Sequence, residues 1–185
     1  MADKQVFCIA RDEVKALRIL DELKDSGFAK EEISLVVPEK AAGGKLARPA
    51  AIKAAEEGGN LKNAGAAAVV GGWLERPVCL SLPALGSLTV SGPLANTLKD
   101  RTKHATTRKL ANSLTLTGIP DSHANRYEGS LREGKILISV HADRSQEACR
   151  ARVLFERAGA DDVLNIEQGS VPGDEVGYGP HRRAT

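Results

Sequence analysis

Residues 6–37 read VFCIARDEVKALRILDELKDSGFAKEEISLVV, and the fold class turns on this stretch. VFCIA at 6–10 is an unbroken apolar run of strand length. Asp12 offers an N-cap, and beyond it Val14, Leu17, Leu20 and Leu23, with Ala16 and Ile19, recur at helical spacing. Gly27 supplies the left-handed residue that ends a helix, and Phe28 can fold back onto its last turn. ISLVV at 33–37 is a second strand-length run, stopped by Pro38. The unit is β-α-β.

The same grammar returns near the other end. KILISVH at 135–141 reads as a strand, and Ser145 offers a cap for a helix carrying Ala148, Ala151, Leu154 and Phe155. Gly159 ends that helix, and VLNI at 163–166 is a fourth strand. A shift of 132 positions lays Gly27 on Gly159, Ala16 on Ala148 and Leu23 on Phe155. Two such units predict an α+β fold: a ferredoxin-like duplicated β-α-β sheet built from residues 5–37 plus 135–166, with both helices on one face. A single crossed parallel sheet is the competing topology.

Residues 38–134 are predicted to be a helical, Gly/Ala-rich central insertion. Residues 38–62 are loop-like, and 63–74 (NAGAAAVVGGWL) are small and apolar. Residues 77–95 are apolar but punctuated by Pro77, Pro83, Gly86, Gly92 and Pro93. Leu94, Leu98, Leu110, Leu114 and Leu116 suggest an amphipathic helix over 94–117, closed by Gly118. Pro120, Asp121 and Ser122 then open a helix carrying Ala124, Tyr127 and Leu131, closed by Gly134. The tail at 169–185, GSVPGDEVGYGPHRRAT, has no periodicity and is predicted to be disordered.

Composition narrows the function classes. The 185 residues are 42% hydrophobic and 27% charged with a net charge of +2, so no global field gathers nucleic acid or anionic lipid. Cys8, Cys79 and Cys149 are far apart, without a CxxC, and read as small fillers in a reducing compartment. The N-terminus lacks the pattern of a secretory signal, and the longest apolar stretch is broken by Glu75, Arg76 and Pro77. A cytoplasmic protein with no membrane span is expected.

Motifs for catalysis are not found. Gly43-Gly44-Lys45 lacks the spacing and hydroxyl of a phosphate loop, and Gly71-Gly72 does not follow a strand. His104, His123, His141 and His181 have no i, i+4 partner for a metal. His123, Tyr127 and Glu128 share a helical face, but nothing near them in sequence supplies a nucleophile. The reading for Tyr127 is a ring packed on the sheet with its hydroxyl at the rim. Catalytic, cofactor and metal residues are therefore expected to be absent.

Two surfaces remain as candidates. Ala64, Ala67, Ala68, Gly71 and Gly72 form rows of small residues at helical spacing, suited to close self-association. Lys99, Arg101, Lys103, Arg108 and Lys109 form a basic stretch suited to RNA or another polyanion, although aromatic residues for stacking bases are missing. A homo-oligomer or a protein partner is favoured over nucleic acid.

Residues 118–145, GIPDSHANRYEGSLREGKILISVHADRS, together with SLVVPE at 34–39, KAAEEG at 53–58 and SLPALGSLTVSGPLA at 81–95, resemble the bacterial general stress and low-temperature-induced protein family. The likeness spans nearly all of residues 5–166. It implies a stress-associated context without a mechanism, and a middle that in the family is a long glycine-zipper-like run suited to membrane association or helix packing. With no catalytic motif found, a non-enzymatic protein acting by self-association or partner binding is expected. Here charge and hydroxyls interrupt that middle, as in LKDRTKHATTRKLANS at 98–113.

Overall fold

A computed structural model describes residues 4–38, 41, 77–82, 85–104 and 109–167, with backbone alone for 100–104 and 167. In chain order the elements are β1 (Lys4–Ala10), α1 (Glu13–Asp25), a short 3-10 turn (Lys30–Glu32), β2 (Ile33–Pro38), β3 (Val78–Leu82) and β4 (Gly86–Ser91). There follow α2 (Pro93–His104), α3 (Leu110–Thr115), α4 (Asp121–Arg132), β5 (Ile136–Ala142), α5 (Ser145–Arg157) and β6 (Asp161–Glu167). The strands form one sheet in the order β3-β4-β2-β5-β1-β6, and every pairing is antiparallel. The crossed parallel sheet is thereby removed. The chain is α+β.

The first unit forms for the reasons legible in its residues. The Asp12 carboxylate accepts from the Lys15 amide at 2.7 Å, satisfying one of the four orphan donors of α1. At the other end Gly27 takes φ +89, and the Phe28 amide reaches back to the Leu23 carbonyl at 3.1 Å. The same closure ends α5, where the Ala160 amide donates to the Phe155 carbonyl at 2.9 Å. Ser145 does not cap α5, as the sequence suggests. It lies inside the first turn, Arg144 takes the cap position, and the Ser145 hydroxyl accepts from the Lys4 ammonium at 2.6 Å.

α1 and α5 pack on one face of the sheet. Ala16, Ile19, Leu20 and Leu23 from α1 and Ala148, Ala151 and Phe155 from α5 bury against Val6, Cys8, Leu35, Ile138 and Val140. Each helix also holds the end of the other. The Lys15 ammonium donates to the Ala158 carbonyl at 3.2 Å, and the Arg150 guanidinium donates to the Ser26 carbonyl at 3.0 Å. Ser26 and Ala158 are the C-caps of their helices, where a cation also meets the negative end of the helix dipole.

The middle of the chain departs from the expected helical insertion. Residues 78–82 and 86–91 are a hairpin that extends the same sheet beyond β2, with Leu80 opposite Leu88 and Leu82 opposite Gly86. Prolines and Gly86 hide its period-2 alternation in the sequence. The expected helix over 94–117 is two helices, α2 and α3. With α4 they cover the second face, where Leu94, Leu98, Leu110, Leu114, Ala124, Tyr127 and Leu131 bury Phe7, Ile9, Val36, Leu88, Val90 and Leu137. A sheet buried on both faces explains why VFCIA, and ISLVV apart from Ser34, are apolar at successive positions and do not alternate. The described part of that stretch thus adds two strands to the sheet and a helical layer on its second face. Among the described residues no helix is long and apolar enough to cross a membrane.

Candidate functional site

The His123, Tyr127 and Glu128 face is the place to look first for chemistry, and the structure gives Tyr127 and Glu128 holding tasks. Tyr127 is fully buried, stacked on Phe7 with ring centroids 6.2 Å apart, and its hydroxyl donates to the Asp162 carbonyl at 2.9 Å. Burial, and next the nearby Asp162 charge, push the phenol well above its ordinary range, so it stays a neutral donor. His123 Nδ1 and Arg126 Nη2 lie 3.4 and 3.1 Å from the Asp162 carboxylate. Tyr127 and Arg126 of α4 therefore hold one residue of β6, and His123 Nδ1 lies beside the same carboxylate without a hydrogen bond. Asp162 has φ +50, a left-handed backbone in a residue other than glycine. It sits where β6 has one more residue than β1, because Phe7 opposes Leu164 while Ile9 opposes Asp161. The cluster fixes a β-bulge.

Glu128 is the one buried carboxylate among the described residues. One oxygen accepts from the Ala111 amide at 2.8 Å and the other from Arg132 at 3.2 Å. It thus caps α3 from seventeen residues away, and its charge meets the positive helix start. Both of its oxygens are engaged.

The remaining sequence candidates are dispersed. Ala64, Ala67, Ala68, Gly71, Gly72 and Arg108 lie outside the described residues, as does His181. Arg101, Lys103 and His104 belong to α2, and Lys99 on the same helix is exposed, as is Lys109 just before α3. The single amphipathic helix expected to carry this basic stretch is interrupted between His104 and Leu110. Cys8 is buried, which pushes its thiol well up, while Cys79 and Cys149 are exposed. Among the described residues no group of three or more His, Cys, Asp or Glu side chains is placed to hold a metal ion. A shallow apolar groove of about 280 Å³ runs beside Ser26, Cys149, Arg150, Val153 and Leu154, with the Arg150 head already bound to the Ser26 carbonyl.

The sheet edges carry more information. Among the described residues β6 and β3 are the two outer strands. β6, DDVLNIE, is defended by its bulge and by its acidic start at Asp161. Asp161 is further held by Arg11, whose hydrogen bond keeps the carboxyl below its usual range. β3, VCLSL, pairs with β4 in unbroken register and has no charge along its length. Cys79 and Ser81 are exposed, while Val78 and Leu80 are half-buried on the face that carries α2. Native proteins blunt an edge with charge, bulge or cover. Sequence reasoning misses β3 because Pro77 and Pro83 frame it; the available signal is V-x-L-x-L alternation without a charged residue.

Comparison of the chain with protein-family models, with curated proteins and with solved structures finds no match.

Proposed function

We propose that this is a non-enzymatic, stress-associated protein that acts by association, through pairing of the β3 edge with a strand of another polypeptide. The observation that carries the reading is the contrast between the two outer strands: β6 is bulged and acidic, whereas β3 is regular and uncharged. Strand addition gains main-chain hydrogen bonds along the edge, and alternate side chains supply selectivity. The resemblance of residues 118–145 to a general stress family supports the stress context.

We also read the scaffold that presents β3 as a ferredoxin-like duplication. The matched positions have matched environments: Ala16 and Ala148 are fully buried, as are Leu23 and Phe155, and Gly27 and Gly159 both take positive φ. The two acceptors of the reciprocal bonds, Ser26 and Ala158, are themselves 132 positions apart, although their donors Lys15 and Arg150 are not.

Hydrogen exchange of the β3 amides tests the association. The alternate β3 amides that point away from β4 are expected to be protected in concentrated protein, or in dilute protein supplemented with extract from stressed cells, and to exchange faster in dilute pure protein. Exchange that is equally fast in all three conditions overturns the reading.

A further inference from the structure

Resting on the reading of β3 as a pairing edge, we propose that the strand it takes is β3 of a second copy of this chain, antiparallel and related by a two-fold axis through Leu80. Such a pair sets Leu80 against Leu80, Cys79 against Ser81 and Val78 against Leu82. Opposed residues of antiparallel strands project on the same face of a sheet. Val78, Leu80 and Leu82, which all belong to the face covered by α2, therefore meet one another there. The small residues Cys79 and Ser81 meet on the opposite face. VCLSL has the same pattern of large apolar and small side chains in both directions, which a two-fold interface requires of one surface patch.

The flanking residues select this register. A pair centred on Leu80 uses all five residues of β3. Moving the axis to Cys79 brings Pro77 opposite Ser81, and moving it to Ser81 brings Pro83 opposite Cys79. Proline has no N–H to donate to a ladder, so either shift loses rungs. Self-pairing also needs an absence of like charges, and here the two edges part. The same operation on β6, centred on Leu164, would set Asp161 against Glu167. β3 opposes no charge with any other. Val78 and Leu80, half-buried in one copy, become covered by the second.

Cross-linking reads the register directly. In a Cys149→Ser background, which removes the other exposed thiol, Ser81→Cys places the introduced thiol opposite Cys79 of the second copy, twice per dimer. The expected result is a covalent dimer on mild oxidation, with peptide mapping that joins position 79 to position 81. Charge reversal gives an independent reading at two exposed positions that leave the core untouched. Cys79→Lys with Ser81→Lys sets ammonium against ammonium and should weaken the dimer about tenfold or more by sedimentation. Cys79→Lys with Ser81→Glu sets opposite charges together and should restore it. A dimer that cross-links only 79 to 79 or 81 to 81, or that ignores both charge pairs, overturns this geometry. A wild-type chain that is monomeric at about 100 µM overturns the second copy altogether. Protection of the β3 amides by extract alone would then leave edge pairing standing with a different partner, and its absence would remove both.

Discussion

The Tyr127 hydroxyl donates to the Asp162 main-chain carbonyl at 2.9 Å, and through this bond a buried side chain of α4 holds the shape of an outer strand. Asp162 holds its left-handed φ inside the β6 bulge because α4 holds both its carbonyl, by Tyr127, and its carboxylate, by Arg126. Tyr127→Phe keeps the ring stacked on Phe7 and deletes the carbonyl's partner. The expected cost is about 1 kcal/mol in urea unfolding. The amides of Asp162 and Val163 should also exchange faster than those of β5. A variant as stable as the wild type with unchanged exchange would show that the bulge does not depend on this bond.

The same hydroxyl makes stability depend on alkali. Its folded pKa is raised above the ordinary value of 10.0, first by burial and then by Asp162. An unfolded chain releases this proton near pH 10 while the folded chain keeps it, so the folded state binds more protons there. The contribution is fully present below pH 10 and is lost as pH climbs above it. Unfolding free energy should therefore fall more steeply above pH 10 in wild type than in Tyr127→Phe. Parallel pH profiles for the two proteins would contradict this assignment.

Glu128 yields a prediction in which two substitutions separate capping from charge. Glu128→Ala leaves the buried Ala111 amide without its acceptor, and about 2 kcal/mol should be lost. Glu128→Gln retains a carbonyl oxygen for Ala111 but gives up the Arg132 ion pair, whose partner is more than half exposed. That pair is worth little, so the glutamine should lose less than half of what alanine loses. Equal losses in urea titrations would assign the role to charge and not to the cap.

How much of this is legible in the residues depends on how far each determinant reaches along the chain. α1 is legible because its cap, its apolar spacing and its terminating glycine all lie within sixteen residues, from Asp12 to Gly27. The four strands β1, β2, β5 and β6 are legible for the same reason, as short apolar runs beside capped helices. The second-face cover goes unread, although VFCIA holds the signal: Phe7 and Ile9 point away from Val6 and Cys8, so a fully apolar run demands cover on both sides. Tyr127 packs on the sheet as its helical position suggests, with its hydroxyl bonded at the far end of the ring. The cap of α3 by Glu128 and the bend at Asp162 are illegible for a common reason. Each depends on a side chain from a distant element, and aspartate, though among the residues that tolerate positive φ, does not announce at which position it will adopt it. β3 is hidden by its own flanking prolines.

The joint between β2 and α2 supports the last prediction, because three residues there occupy one another's space. Gly92 has φ +81, and a Cβ built on it would lie 2.2 Å from the Ile33 carbonyl oxygen and 2.8 Å from both the Cα and the Oγ of Ser34. The Ser34 Oγ in turn accepts from the buried Leu94 amide at 3.1 Å, so β2 supplies the cap that α2 lacks within its own sequence. Gly92→Ala must push backbone against backbone and also strain φ, with no flexible side chain free to yield. A loss of about 3 kcal/mol or more is expected. Ser34→Ala removes only the acceptor and should cost about 1–2 kcal/mol. The double variant should lose less than the sum, since the shortened side chain relieves part of the clash that the new methyl creates. Gly129→Ala is the control. Gly129 sits within α4, and a methyl added to it would meet nothing inside 4 Å, so the change should stabilise by up to about 1 kcal/mol. If Gly92→Ala proved as mild as Gly129→Ala, β2 and α2 would not be locked at this joint, and the frame that presents β3 through β4 would be looser than these distances imply.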